Sequence, residues 1–119
     1  MKDGGGTGML EDDLKRAIEV FNQKAQTDEK LRSEIQGKVR TVLVELTDTE
    51  SFNFTLKDNR LGPLGKGKLD SPDIHITTDS ATMEALMKRE MGPMKALVTK
   101  KLKLTKISME DLSTLRKFF

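Results

Sequence analysis

The spacing of apolar residues changes four times along this chain, and each change fixes a kind of element. Before Gly37, Leu14, Ala17, Ile18, Phe21 and Ala25 are offset by 3, 4, 7 and 11 residues, which is one stripe of a helix. After Gly37 the period becomes two. Phe52, Phe54 and Leu56 alternate with Asn53, Thr55 and Lys57, as in a strand with one buried face. After Asp79 the helical spacing returns, with Met83, Leu86, Met87 and Met91. Elements of both kinds must bury their apolar sides against each other, which calls for a two-layer domain.

Punctuation residues set the boundaries. Residues 1–8 read as a flexible, glycine-rich lead, and residues 9–119 as one domain. Glu11, Asp12 and Asp13 are expected in the first turn of the first helix, where its dipole favours acid. Thr27 or Asp28 caps a second helix carrying Leu31 and Ile35, and Gly37 ends it. Val39 to Leu46 has apolar residues on both faces, as in a strand covered on both sides. The "TDTE" segment reads as a hairpin link and Asp58-Asn59 as the next turn. Arg60 to Pro72 reads as a glycine-rich stretch with a short edge strand. In the strand Asp73–Thr77, Ile74 and Ile76 point inward and His75 outward. Asp79 and Ser80 open a helix, Gly92 closes it in the left-handed conformation, and Pro93 starts the next, with Met94, Leu97 and Val98. Lys101–Thr105 is a strand with Leu102 and Leu104 inward. Ser108 and Asp111 form a capping-box-like start to a last helix with Met109, Leu112, Leu115 and Phe119 on one face. The order predicts an α+β fold: a single, mostly antiparallel sheet of about five strands with helices on one face.

Composition limits the chemistry. With no cysteine there is no disulfide, thiol catalysis or thiolate metal site, and a cytoplasmic protein is expected. No Ser-Lys-Leu address stands at the end of the sequence. The single histidine, His75, cannot build a multi-histidine metal site, so no metal or cofactor is expected. "GPLGKGK" mimics a phosphate-binding loop. However, Leu69 replaces the required Ser or Thr, and Pro72 opposes the helix that must follow. No catalytic constellation is found, so the protein is not expected to be an enzyme. Lys88, Arg89, Lys95, Lys100, Lys101, Lys103 and Lys106 form a basic group with only Glu90 among them. The chain has no Tyr or Trp on which bases could stack, so no nucleic-acid partner is expected. The methionines gather in the C-terminal helices, where flexible side chains suit an adaptable apolar surface.

Residues 79–106 resemble the C-terminal half of sterol carrier protein-2-like lipid-binding domains. The matching pieces are Asp79-Ser80, Ala85-Leu86-Met87, Gly92-Pro93 and Lys101-Leu102-Lys103-Leu104-Thr105, with "DIHITT" as the preceding strand. The resemblance implies an apolar cavity between sheet and helices, and non-catalytic binding and carriage of a lipid-like ligand: a fatty acyl chain, acyl-CoA, phospholipid or isoprenoid. Its wall would include Phe52, Phe54, Ile74 and Ile76 from the sheet. Met83, Leu86, Met87, Met91 and Leu97 would come from helices, and Leu102 and Leu104 from the last strand. Leu112, Leu115, Phe118 and Phe119 would form a lid. Lys95, Lys100 and Lys101 would dock on an anionic membrane surface. The alternative is a non-catalytic interaction or dimerisation module, such as a homodimer, whose apolar face a partner chain closes.

Overall fold

The computed structural model describes the backbone of residues 6–118 and the side chains of residues 10–118. The elements run α1 (Gly6–Thr27), α2 (Glu29–Ile35), β1 (Arg40–Leu46), β2 (Ser51–Lys57), β3 (Arg60–Leu61), β4 (Gly65–Lys66), β5 (Ile74–Thr78), α3 (Ser80–Met87), α4 (Pro93–Val98), β6 (Leu102–Lys106) and α5 (Met109–Phe118). The sheet order is β3-β2-β1-β5-β6, with the two-residue β4 pairing β2 beyond that path. β1 and β5 are parallel, and every other pairing is antiparallel.

Register explains the core. Val42 lies opposite Phe54 on one side and Ile74 on the other, and Val44 lies opposite Phe52 and Ile76. The row continues through Ile76↔Leu104 and Thr78↔Leu102. Because side chains alternate across a strand, these residues share one face. Leu10, Leu14, Ile18 and Phe21 of α1, Leu31 and Ile35 of α2, and Met83 and Leu86 of α3 pack on that face in one buried cluster. Each such side chain contributes roughly 1.5–3 kcal/mol when taken out of water. The opposite face holds Thr41, Asn53, Thr55 and Thr77 half-buried, but Leu43 is only 3% exposed and stands outside the main cluster. At that point β1 is covered on both sides, as its sequence suggested.

The caps follow the sequence at several ends. Asp28 accepts the N–H groups of Lys30 and Leu31. Asp79 accepts that of Thr82 at 2.7 Å, a contact whose loss costs about 1 kcal/mol. Asp58 and Asn59 have φ of 55° and 65°, the left-handed pair that a tight hairpin needs. In the glycine-rich stretch, a Cβ at Gly65 would come within 2.9 Å of Asn53 Oδ1. Asn53 also donates to Gly67 O at 3.0 Å. "GPLGKGK" is therefore a strap fastened to β2, with no helix after it.

Several expectations are corrected. α1 begins at Gly6, so residues 6–8 belong to its backbone, while residues 1–5 of the expected lead lie outside the described residues. Glu11, Asp12 and Asp13 consequently fall beyond the first turn, and Glu11 instead pairs with Lys15 and Lys66, both at 3.2 Å. Gly92 has extended backbone and caps the start of α4, while Arg89, at φ 61°, is the left-handed residue after α3. Met94 and Met109 are 52% and 83% exposed. Helix α4 has only one and a half turns, and its buried side is taken by Ala96. Met109 opens α5 facing out.

Candidate site between the sheet and the last helix

An apolar cavity of about 40 Å³ lies where one end of the sheet meets α1 and α5. Its floor is Val42, Phe54, Leu56, Leu61 and Ile74, one wall is Phe21, and its cover is Thr114, Leu115 and Phe118. Arg40 and Asp111 form the single charged corner. The volume is enough for a few waters and far below the roughly 300–1,000 Å³ of sites that enclose small molecules. The lipid-sized cavity expected between sheet and helices is therefore not open in this conformation. Phe118 covers the space that remains. Its ring stacks on Phe54, with centroids 5.5 Å apart, and tilts against Phe21 at 6.3 Å.

Helix α5 is fastened at both ends. Ser108 Oγ accepts the Asp111 N–H at 3.1 Å, as the capping pattern suggested. The Asp111 carboxylate does not reach back to complete the box. It is almost buried and takes the Arg40 Nε–H at 3.0 Å, with Lys38 Nζ 3.9 Å away. Lys38 also meets Glu110 at 3.2 Å. At the far end, Lys117 Nζ donates to Glu34 Oε1 at 3.1 Å, while Glu34 Oε2 is buried without a partner. Glu110, Asp111 and Lys117 thus clasp α5 to α2, to β1 and to the Lys38 link between them, beyond complementing its dipole.

Of the expected wall, Phe54 and Ile74 line the cavity. Phe52, Ile76, Met83, Leu86 and Leu102 are at most 2% exposed, in the solid core. Met91, Leu97 and Leu104 pack half-buried against that core, as does Met87, which also lines a neighbouring groove. Of the expected lid, Leu115 and Phe118 cover the cavity, Leu112 is half-buried, and Phe119 lies outside the described residues. Phe21, Val42, Leu56 and Leu61 line the cavity without having been expected there. Phe21 was findable as the one aromatic on the buried stripe of α1.

The other candidates lie elsewhere. Lys95, Lys100 and Lys101 are exposed in and just after α4, where Met94 and Val98, one helical turn apart, are 52% and 77% exposed. His75, expected as a plain surface residue, is half-buried with Nε2 2.9 Å from Glu45 Oε1. That hydrogen bond is the main reason the Glu45 carboxyl titrates below its ordinary value. Burial opposes the shift, and Lys68 adds to it. Among the described residues, no group of three or more His, Cys, Asp or Glu could hold a metal ion. No helix among them is long and apolar enough to cross a membrane.

A five-strand sheet path, helices on one face and a small apolar space under the last helix define the architecture. Residues 15–116 match the SCP-2 sterol transfer family. The chain belongs to that family. Solved structures show the same fold. Sterol Carrier Protein 2 from Yarrowia lipolytica, in its apo form, superposes with a TM-score of 0.64 at 22% identity, covering 99% of this chain and 92% of that one. Sterol Carrier Protein 2 Like 2 from Aedes aegypti gives 0.55 at 17%, covering 90% and 96%. The sec-alkylsulfatase Pisa1 from Pseudomonas sp. gives 0.58 at 15%, but the match covers 69% of this chain and only 13% of the sulfatase. No curated relative matches the chain in sequence.

Proposed function

We propose that this protein is a non-catalytic, cytoplasmic carrier of one long apolar ligand: a fatty acyl chain, an acyl-CoA, a phospholipid or an isoprenoid. The ligand would lie between the sheet and α5, in the space that Phe118 fills in the closed form. The observation that carries this reading is the cover of the apolar cavity. It is a ring resting on two other rings, at the end of a helix clasped by ion pairs. An aromatic contact is worth about 0.5–1.5 kcal/mol beyond its buried area, whereas an acyl chain gains ~0.8 kcal/mol for each buried CH₂. Displacing Phe118 gives up two ring contacts and its buried area, roughly 3–6 kcal/mol together, which about four to eight buried methylenes offset, and local opening of α5 leaves the sheet intact. Exchange with an anionic membrane would use Lys95, Lys100 and Lys101, beside the exposed Met94 and Val98.

The test is a titration with the fluorescent fatty acid dansylaminoundecanoic acid, alongside native mass spectrometry of the gently purified protein. The carrier reading expects saturable, one-to-one binding. Phe118→Ala should speed both association and release, because the cover is gone. A wild-type protein that never binds the probe and carries no lipid would remove this function. A second reading, an interaction or dimerisation module, is favoured by the occurrence of this fold as a small part of a larger chain. A ligand-free, obligate dimer in native mass spectra would select it.

A further inference from the structure

Behind Phe118 lies a second opening, of about 340 Å³, between α1, the end of α3 and α5. Five cations line it, namely Arg16, Lys24, Lys88, Arg89 and Lys117, against one carboxylate, Asp13. Three of the five are matched. Arg16 meets Asp13 at 3.4 Å, Lys88 meets Glu84 at 2.7 Å, and Lys117 meets Glu34 at 3.1 Å. Lys24 and Arg89 have no carboxylate within ion-pair distance among the described residues. Arg89 is also held at φ 61°, a backbone conformation usually left to glycine or asparagine. The groove is not polar throughout, since Val20 and Met87 contribute apolar surface.

The groove and the apolar cavity share two residues, Phe21 and Phe118. Phe118 is the partition between an apolar compartment and a cationic one. A molecule that displaces this ring would meet apolar floor on one side and positive charge on the other. That order of surfaces fits a single-chain amphiphile and not an uncharged hydrocarbon.

We propose that this groove holds the anionic head of the carried lipid, a carboxylate or phosphate, between Lys24 and Arg89. This rests on the carrier reading above and narrows its ligand class. The guanidinium of Arg89 offers paired donors to two oxygens of such a head, and the Lys24 ammonium a mobile point charge. A concave site with apolar surface beside the charges screens them less than open water does.

The experiment compares dansylaminoundecanoic acid with its methyl ester, which differs only in head charge. The acid should bind about tenfold more tightly than the ester at low salt, as expected for two charge-assisted contacts at a partly exposed site. The Lys24→Gln/Arg89→Gln double variant should bring the acid down to the level of the ester and leave the ester unchanged. A control with the same loss of charge on the polar face of the sheet, Lys57→Gln/Lys103→Gln, should keep the preference. Displacement of the probe by dodecanoate or dodecyl phosphate more strongly than by dodecanol supports the site, and the better of the two identifies the head. If acid and ester bind equally, or the preference survives the double variant, the head site is wrong while the carrier reading stands. If neither probe binds the wild type, both fall together.

Discussion

Lys100 has left-handed backbone, with φ 63°, at the point where α4 gives way to β6. Its Cβ crowds the following carbonyl in that conformation, at roughly 1–2 kcal/mol, while glycine would lose about 0.5–1 kcal/mol in extra chain entropy. Lys100→Gly should therefore raise the urea midpoint by a stability gain of up to about 1 kcal/mol, with an unchanged slope. A lower midpoint would mean that the lysine side chain contributes contacts that offset its backbone. The sequence offered Gly92 as the natural left-handed residue, and the structure uses Arg89 and Lys100 instead. Nothing local distinguishes a lysine destined for positive φ. The requirement comes from how α4 closes: the Lys100 N–H donates to Leu97 O at 3.1 Å and the Lys101 N–H to Ala96 O at 2.9 Å, a pair of bonds that needs a left-handed residue at Lys100.

Single elements show what periodicity does reveal. In β6, Leu102 is 2% exposed and Lys103 is exposed, as their alternation indicated. Leu102→Lys should cost several kcal/mol in urea melts because it buries an unpaired charge, whereas Lys103→Leu should be nearly neutral. Equal losses would contradict the facing assigned to β6. Connections between elements depend on acid side chains. Asp73 accepts the Thr41 N–H at 2.9 Å, joining the starts of β5 and β1, and this bond is the chief cause of a carboxyl titrating below its usual 3.8. Asp48 is lowered in the same way by the Ser80 N–H and hydroxyl. A carboxyl depressed by folding stabilises fully above its unfolded value, and that contribution is lost as pH falls through the folded one. Asp73→Asn should thus weaken the protein at neutral pH and flatten its stability loss below about pH 3.8, measured by melts across an acid series. An unchanged acid profile would show that the Thr41 bond does not drive the shift.

At the scale of the whole molecule, the exposed Met94–Val98 pair and the lysines around it make one end of the protein both apolar and basic. Each lysine close to an anionic bilayer adds about 1 kcal/mol, so replacing Lys95, Lys100 and Lys101 with glutamine should weaken binding to phosphatidylserine vesicles by orders of magnitude. Salt should weaken the parent likewise. A parent that ignores such vesicles at low salt would leave this surface without a membrane role. The fold class, the sheet face and the covering helix were legible in residue order, because period and caps are local. The cavity was legible only in part. Phe54, Ile74, Leu115 and Phe118 were expected at such a site, but Phe21, Val42, Leu56 and Leu61 were not. Which inward residues meet at an opening depends on how α1 and α5 cross the sheet, and that is settled by contacts between distant parts of the chain. The clasp from Asp111 to Arg40 was hidden for the same reason, since the spacing of Asp111 from Ser108 suggested a purely local role.

The parallel pairing of β1 with β5 also governs how the chain must assemble. β2 reaches β1 through a short hairpin link, which closes quickly. β5 reaches it only after the whole strap has been laid down, pairing residue 42 with residue 74, and such remote closure is slow. In the interval β1 offers an unpaired edge bearing Val42, Leu43 and Val44, an invitation to another copy in the same state. During synthesis that interval lasts until residues 74–78 have left the ribosome. A chain ending at Pro72 should therefore precipitate or form β-rich aggregates at concentrations where the full protein stays monodisperse by light scattering.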